Sequence, residues 1–296
     1  MATTQPDTQY DRQLVKVNDV ILHVIKAGPE DGQLVLLLHG FPEFWYGWRN
    51  QIDALANAGY RVIVPDQRGY NQSDKPKDVG AYRIQNMVAD ADALIRWAGR
   101  EQAIVIGHDW GAMVAWWLAL LHPERVQKLG ILNAPHPWVF YQTLKNDWGQ
   151  RLKSWYAGMF QLPWLPEALL SIGDYQLAAQ ALKNTSLPNS FSADDVARYR
   201  EAWAKPGAAT AMFNWYRAYV QFPVPKPASQ RLPMPVLMIW GMNDVALGSK
   251  MAQPSIDLCE HGRLVTIAEA THWVQHDAPE QVNRLLLDFI AGANPA

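Results

Sequence analysis

The sequence predicts an α/β protein: a mostly parallel central sheet flanked by helices, with a helical cap inserted into it. Three observations carry this expectation. Short, uniformly apolar runs recur as LVLLLHG (34–40), RVIVPD (61–66), AIVIGHD (103–109), LGILNAP (129–135), PVLMIWG (235–241) and LVTIAEA (264–270). Runs this short and this apolar read as strands buried on both faces, which is how a parallel sheet covered by helices looks in sequence. Helical patterns separate them at 48–58, 84–99, 112–121 and 278–291. Between about 136 and 233 the strand runs vanish, and the chain turns helical and aromatic, with six of its 14 tryptophans. That segment closes on QFPVPKPASQRLPMP, with five prolines between 223 and 235, a stiff connector rather than a helix or central strand. The expected organisation is therefore a core in two pieces, 1–135 and 234–296, around a helical cap at 136–233.

Each element carries local signals. The helix at 278–291 opens with DAPE, where Asp277 is placed to cap and Glu280 to reach back, ahead of an apolar stripe of Leu285, Leu286 and Phe289. Of 296 residues, 49% are hydrophobic and 18% charged, enough for a substantial core. The formal charge of -2 gives no electrostatic reason to expect nucleic acid or an anionic membrane as partner. The longest apolar stretch, 113–121, is far shorter than the ~20 residues of a membrane span. The opening MATTQPDTQYDRQ has two aspartates and no apolar core, unlike a secretory signal. The expectation is a soluble cytoplasmic protein, monomeric or homodimeric. The single cysteine, Cys259, excludes an internal disulfide and reads as a small buried hydrophobe.

The sharpest chemical signal is GHDWG at 107–111, with an apolar strand running into it and the helical GAMVAWWLALLHP running out. This context is that of the strand–turn–helix elbow that presents a nucleophile on a tight turn, with Asp109 where serine usually stands. Gly107 and Gly111 flank it at positions where a side chain would collide with the turn. An aspartate ordinarily titrates near ~4 and needs no helper base to be ionised at neutral pH. Attack by a carboxylate on an ester or amide would yield an anhydride, whereas attack on a strained or activated sp³ carbon yields a stable ester. Epoxides and alkyl halides offer such carbons. The alternative role for Asp109 is simple helix capping.

Two partners follow in the chain order of this elbow chemistry. PVLMIWGMND leaves Asp244 just beyond a predicted strand, and LVTIAEATHWVQHD leaves His272 beyond the next. Topology can bring both to the carboxyl edge of the sheet beside Asp109, where His272 would activate water and Asp244 would orient and steady the imidazole. His276 stands four residues after His272, but no third ligand accompanies the pair, and no metal or other cofactor is expected. His39, His108, His122 and His136 read as scaffold hydrogen-bonders, and His23 and His261 as surface positions. HGFP at 39–42 follows the first apolar run, where a loop donates one backbone N–H to an oxyanion hole and the residue after the nucleophile donates the other. That assigns the N–H groups of Phe41 and Trp110, whose side chains are also candidates for substrate contact. Pro42 is a candidate for a cis peptide.

Together these segments resemble the epoxide hydrolase branch of the α/β-hydrolase family. The matching pieces are HGFPEFWYGWR (39–49), PDQRGYNQSDKP (65–76), GHDWGAMVAW (107–116), WGMNDVAL (240–247) and THWVQHDAPE (271–280), in the family's order. The resemblance implies an α/β-hydrolase fold and two cap tyrosines above the nucleophile. YAGMFQ (156–161) and NWYR (214–217) fit the two tyrosine motifs, so Tyr156 and Tyr216 become the implied donors to the epoxide oxygen. A phenol ordinarily titrates near ~10 and can donate at neutral pH. Tyr141, Tyr175, Tyr199 and Tyr219, which match neither motif, read as packing residues. The implied substrates are a small apolar epoxide and water. Haloalkane dehalogenases share the Asp nucleophile and a tryptophan after it, but often carry Asn after the His-Gly of the loop or a second Trp in the cap as halide donor. Phe41 stands at the loop position here, although the cap is rich in Trp, and the tyrosine pair argues for an epoxide oxygen. Dehalogenases acting on fluoroacetate would show Arg where Trp110 stands. A non-catalytic ligand receptor on the same fold is a further alternative, disfavoured by the complete nucleophile, acid and base.

Overall fold

Six of the eight strands are the apolar runs of the sequence, as the computed structural model of the chain, which describes residues 10–292, makes plain. The strands are β1 (Asp11–Val17), β2 (Val20–Ala27), β3 (Leu34–Leu38), β4 (Arg61–Pro65), β5 (Ala103–His108), β6 (Val126–Leu132), β7 (Leu232–Gly241) and β8 (Cys259–Ile267). They form one sheet in the order β1-β2-β4-β3-β5-β6-β7-β8. The pairings from β4 through β8 are all parallel, and β1 and β2 are antiparallel. This is the α/β-hydrolase architecture expected of the sequence. The expected runs that become β3 and β5 are buried at every residue, as strands covered on both faces must be.

β1 and β2 were not among the expected strands. β1 lies at the sheet edge with most of its residues exposed, so its sequence lacks the continuous apolar run of a central strand. β2 carries His23, expected at the surface; instead His23 is buried, with Nδ1 2.7 Å from Asp66 Oδ2. Its carboxylate partner makes a polar residue acceptable in the core. His261 is exposed as expected, and His122 is exposed too, with only Glu124 at 3.6 Å, not a scaffold hydrogen-bonder.

Helices α1 (Arg49–Asn57), α2 (Ile84–Trp97) and α3 (Trp110–Leu121) cover the first half of the sheet. α3 is buried from Gly111 to Leu120, because it is apolar on every face and sits directly against the sheet. Between β6 and β7 the chain is helical: α4 (Pro137–Asn146), α5 (Trp148–Lys153), α6 (Trp155–Met159), α7 (Leu165–Asn184), α8 (Ala193–Trp203) and α9 (Ala208–Gln221). Backbone angles leave the helical region at Ile172–Tyr175 inside α7, so it is two helices in series. The proline-rich stretch remains irregular to Arg231, and Pro233 and Pro235 open β7 where its register with β8 shifts. Prolines lack the N–H of a regular ladder, and the strand start tolerates that.

α10 (Ala252–Ile256), α11 (Val274–Asp277) and α12 (Pro279–Ala291) complete the core. Asp277 does not cap α12: Oδ1 accepts from Leu187 N–H and Ser190 Oγ, and Oδ2 accepts from Thr271 N–H and Oγ1. The carboxylate instead ties the loop before His272 to the segment after α7. Cys259 is buried, and burial pushes its thiol up to about 12, which suits an inert packing residue. No described helix is long and apolar enough to cross a membrane.

The sheet presses on α3 through Gly111. A Cβ placed there would lie 2.1 Å from the Leu38 carbonyl oxygen and 2.5 Å from that of His39. Both contacts are backbone and cannot rotate away. Gly111→Ala should therefore destabilise the fold by about 1–3 kcal/mol, the usual cost of overpacking, measured by denaturant or thermal unfolding. An unchanged midpoint would show that β3 and α3 are not held this closely.

Candidate active site

The carboxyl ends of the parallel strands place the polar residues of the site. β3 leads to His39–Phe41, β5 to Asp109, β6 to Asn133, β7 to Asp244 and β8 to His272. Loops at this edge converge because every parallel strand runs toward it.

Asp109 occupies a sharp turn at φ +51° and ψ −120°, a conformation unusual for a residue with a Cβ. Its N–H is held by the Leu132 carbonyl at 3.3 Å and its carbonyl by Met113 N–H at 3.0 Å. Small neighbours make room for the turn. A Cβ on Gly107 would meet Ala112 N at 2.5 Å, and one on Gly40 would meet Asp109 Cβ at 2.4 Å. Although Asp109 precedes α3, its side chain makes no capping bond. Oδ1 accepts from Phe41 N–H at 2.8 Å, and Oδ2 lies 3.5 Å from His272 Nε2. The turn thus aims the carboxylate into the site, away from its own helix.

His272 Nδ1 lies 2.7 Å from Asp244 Oδ2. The other Asp244 oxygen accepts from the N–H groups of Ala246 and Leu247, both at 2.8 Å. Burial alone would raise the Asp244 carboxyl, but the facing imidazole and these donors hold it below its ordinary range. For His272, burial opposes the charge, yet Asp244 and Asp109 together push its proton affinity well above that of a free imidazole. Asp109, His272 and Asp244 thus form one line of contact, as the sequence order anticipated.

Two supporting groups went unrecognised in the sequence. Asn133, at φ +43°, donates to Asp244 Oδ2 at 2.8 Å and accepts from Gly241 N–H at 2.8 Å. Its only sequence signal is an asparagine just past an apolar strand, a residue that tolerates that backbone. Glu43 is buried beneath the site: Oε1 accepts from Tyr199 hydroxyl at 2.6 Å and lies 2.7 Å from His276 Nε2, and Oε2 lies 3.1 Å from His108 Nδ1. Burial favours its neutral form, but His276 and His108 outweigh that and keep it well below its ordinary range. His108 Nε2 in turn lies 2.9 Å from the His272 carbonyl oxygen. His276 is therefore bound to a carboxylate and Arg49, whose Nη1 lies 2.9 Å from its Nδ1, not paired with His272.

Above Asp109, the helical segment brings Tyr156 and Tyr216 together, with ring centroids 6.2 Å apart. Residues of the same two motifs knit them. Gln161 Nε2 donates to the carbonyls of Ala157 and Tyr216, and Arg217 donates to those of Phe160 and Leu162 and to both oxygens of Glu167. Burial first, then the Asp109 charge, pushes both phenols well above their ordinary range. Asp109, Trp110, Tyr156 and Tyr216 all border a cavity of about 150 Å³. Tyr219 borders it as well, so one of the tyrosines read as packing faces the cavity. Phe41, by contrast, contributes its N–H to Asp109 while its ring packs on Phe160, Phe213 and Tyr216, outside the cavity wall. The Phe41–Pro42 peptide is cis.

Residues 33–279 match the family described as alpha/beta hydrolase fold. The AB hydrolase superfamily protein YfhM of Bacillus subtilis is 49% identical over 94% of this chain and 97% of its own. Epoxide hydrolase 1 of Caenorhabditis elegans is 37% identical over 95% of this chain and 70% of its own. A Bacillus megaterium epoxide hydrolase, solved in complex with an inhibitor, superposes with a TM-score of 0.85 at 31% identity, covering 94% of this chain and all of that one. The chain belongs to the α/β-hydrolase fold family and, within it, to the epoxide hydrolase group.

Proposed function

We propose that the protein converts small apolar epoxides to vicinal diols through a covalent ester on Asp109, with the helical segment 136–233 acting as the cap over the site. The observation that carries this reading is the opposition of two chemistries across one cavity. A carboxylate backed by His272 and Asp244 lies below it, and two protonated phenols border it from the helical segment.

In the first step an Asp109 oxygen attacks a ring carbon and the C–O bond of the epoxide breaks. Oδ1 is engaged by Phe41 N–H, which leaves Oδ2 as the attacking atom. Tyr156 and Tyr216 donate to the departing oxygen, one of them giving it a proton. Their raised proton affinity keeps the hydroxyls intact at neutral pH and brings them nearer to that of the alkoxide they stabilise. In the second step water, deprotonated by His272, attacks the ester carbonyl carbon. The N–H groups of Phe41 and Trp110 stabilise the resulting oxyanion. Its collapse breaks the bond to the substrate oxygen, His272 returns its proton to that alkoxide to complete the diol, and the proton left on the Asp109 carboxyl passes to the imidazole, which restores the carboxylate. Esterification removes one of the two negative charges that hold the His272 proton. The imidazole thereby releases that proton, through solvent, to the phenolate left by the first step, and becomes a neutral base at the step that needs one.

Asp109→Ala should show no diol formation from any aryl or alkyl epoxide that the unaltered protein hydrolyses. His272→Gln should still open the ring but stall, leaving protein heavier by the mass of one substrate in intact-mass spectrometry. Full turnover by this variant, or halide release from haloalkanes with epoxides inert, would refute the assignment. Tyr156→Phe and Tyr216→Phe should each reduce kcat by about 10²-fold, the scale expected for one lost donor to a developing oxyanion. The charge coupling is open to NMR. Since Asp244 and Asp109 both raise the His272 titration, Asp244→Asn and Asp109→Asn should each move its ring-proton midpoint to lower pH. A midpoint unmoved by loss of the Asp109 charge would exclude the proposed switch in basicity.

A further inference from the structure

The cavity above Asp109 is bordered by that residue, Trp110, Tyr156 and Tyr216. Its walls away from the tyrosines come from α3, α4 and the β7–α10 loop, through residues such as Met113, Phe140, Leu144 and Leu247. Apart from Asp109 and the hydroxyl-bearing side chains it is apolar. At about 150 Å³ it matches the size of cavity that holds a single benzene ring.

The space on the Phe41 side is filled instead. Phe41 is fixed beside Asp109 by its N–H bond, and its ring meets Phe160 at 5.6 Å and Phe213 at 5.8 Å between centroids. Phe160 and Phe213 stand 4.6 Å apart, and Phe160 touches Tyr156 and Tyr216 as well, at 5.6 and 4.9 Å. These are the separations of packed aromatic rings, with no room for a further group between them. Phe213 is 1% exposed and Phe160 9%, and none of the three rings borders the cavity.

We infer that the protein selects epoxides bearing one bulky substituent on one ring carbon, because an aryl-sized apolar lobe opens on one side of Asp109 while Phe41, Phe160 and Phe213 close the other. This rests on the epoxide hydrolase reading and names its substrate class. With the ring held between Asp109 and the two phenols, a single aryl or short alkyl group fills the lobe. In a trans-disubstituted epoxide the second group projects from the neighbouring carbon to the opposite face and meets the phenyl cluster. Phe160, which touches Phe41, Phe213 and both tyrosines, is the specificity-determining residue.

The test compares kcat/KM for styrene oxide and trans-stilbene oxide. The unaltered protein should favour styrene oxide by at least about 10²-fold. Phe160→Ala should reduce that preference about tenfold or more by raising the rate on trans-stilbene oxide, and Phe213→Leu, a milder change in the same cluster, should reduce it in the same direction. Similar rates on both epoxides in the unaltered protein would overturn the inference and leave the epoxide hydrolase reading intact. A preference unchanged in soluble, folded Phe160→Ala and Phe213→Leu would remove the phenyl cluster as its cause and overturn the inference equally. Hydrolysis of neither epoxide, nor of any other in a wider panel, would overturn the underlying reading and this inference with it.

Discussion

The strained bend at Asp109 is the constraint on which the rest of the site depends. Holding a residue with a Cβ at a positive φ costs roughly 1–3 kcal/mol, and such a conformation persists only where its surroundings over-determine it. Here they do. The buried β5 delivers the chain, the wholly buried α3 carries it away, and Gly40, Gly107 and Gly111 allow backbone from three segments to meet at the turn. The outcome is a carboxylate lifted off its own helix and presented to the Phe41 N–H and to His272. Had the side chain capped α3, as an aspartate before a helix commonly does, it would not face the cavity and His272.

Charge around that carboxylate is arranged in two layers. The first is the Asp109–His272–Asp244 line, in which one imidazole faces two carboxylates and holds its proton tightly. Asn133 and the N–H groups after Asp244 satisfy the remaining Asp244 lone pairs, so a buried carboxylate is kept ionised instead of neutralised. The second layer is Glu43 with His108, His276, Gln275 and Tyr199, which runs beneath the first and meets it at the His272 carbonyl. Tyr199 belongs to α8, so this layer also fastens the helical segment to the core. The same is true of Trp203, which donates to the Pro42 carbonyl, and of Trp215, which donates to that of Arg68. The buried tryptophans of the helical segment therefore act partly as hydrogen-bonded struts.

Burial explains both sides of the proposed chemistry. It favours neutral phenols, and the nearby Asp109 charge adds to this, so Tyr156 and Tyr216 keep their protons. It opposes a charged imidazole, and only the paired carboxylates reverse that. Neutralising one carboxylate through an ester therefore acts directly on the base. The asymmetry of the cavity follows from packing: the Phe41 side is filled with interlocked rings, and the α3–α4 side, lined by residues such as Met113, Phe140 and Leu144, keeps a gap.

Asp109, Asp244 and His272 were legible in the sequence because each follows an apolar strand run, and parallel strands must bring their carboxyl ends to one edge. The five central strands β3 to β7 and the helical break after 135 were legible for a related reason: burial leaves a near-continuous apolar run, and its absence from 136 to 233 is equally visible. β8, read as buried on both faces, proves instead to be an edge strand with only Cys259 and Ile267 buried. Tyr156 and Tyr216 could be singled out from the other tyrosines only by resemblance, since composition does not say which phenol faces a cavity. Tertiary structure alone decided the rest. β1 escaped notice because an edge strand alternates with solvent, and His23 because its buried partner Asp66 lies 43 residues away. Asp277 looked like a cap from its neighbours in sequence but bonds across space to the segment after α7. Asn133 and Glu43 carry no local pattern, because the groups that make them matter, Asp244, His108 and His276, reach them only through long-range contacts. Local periodicity encodes which residues must be buried; which buried polar groups meet, and which side of a cavity stays open, depends on distances that exist only once the chain has folded.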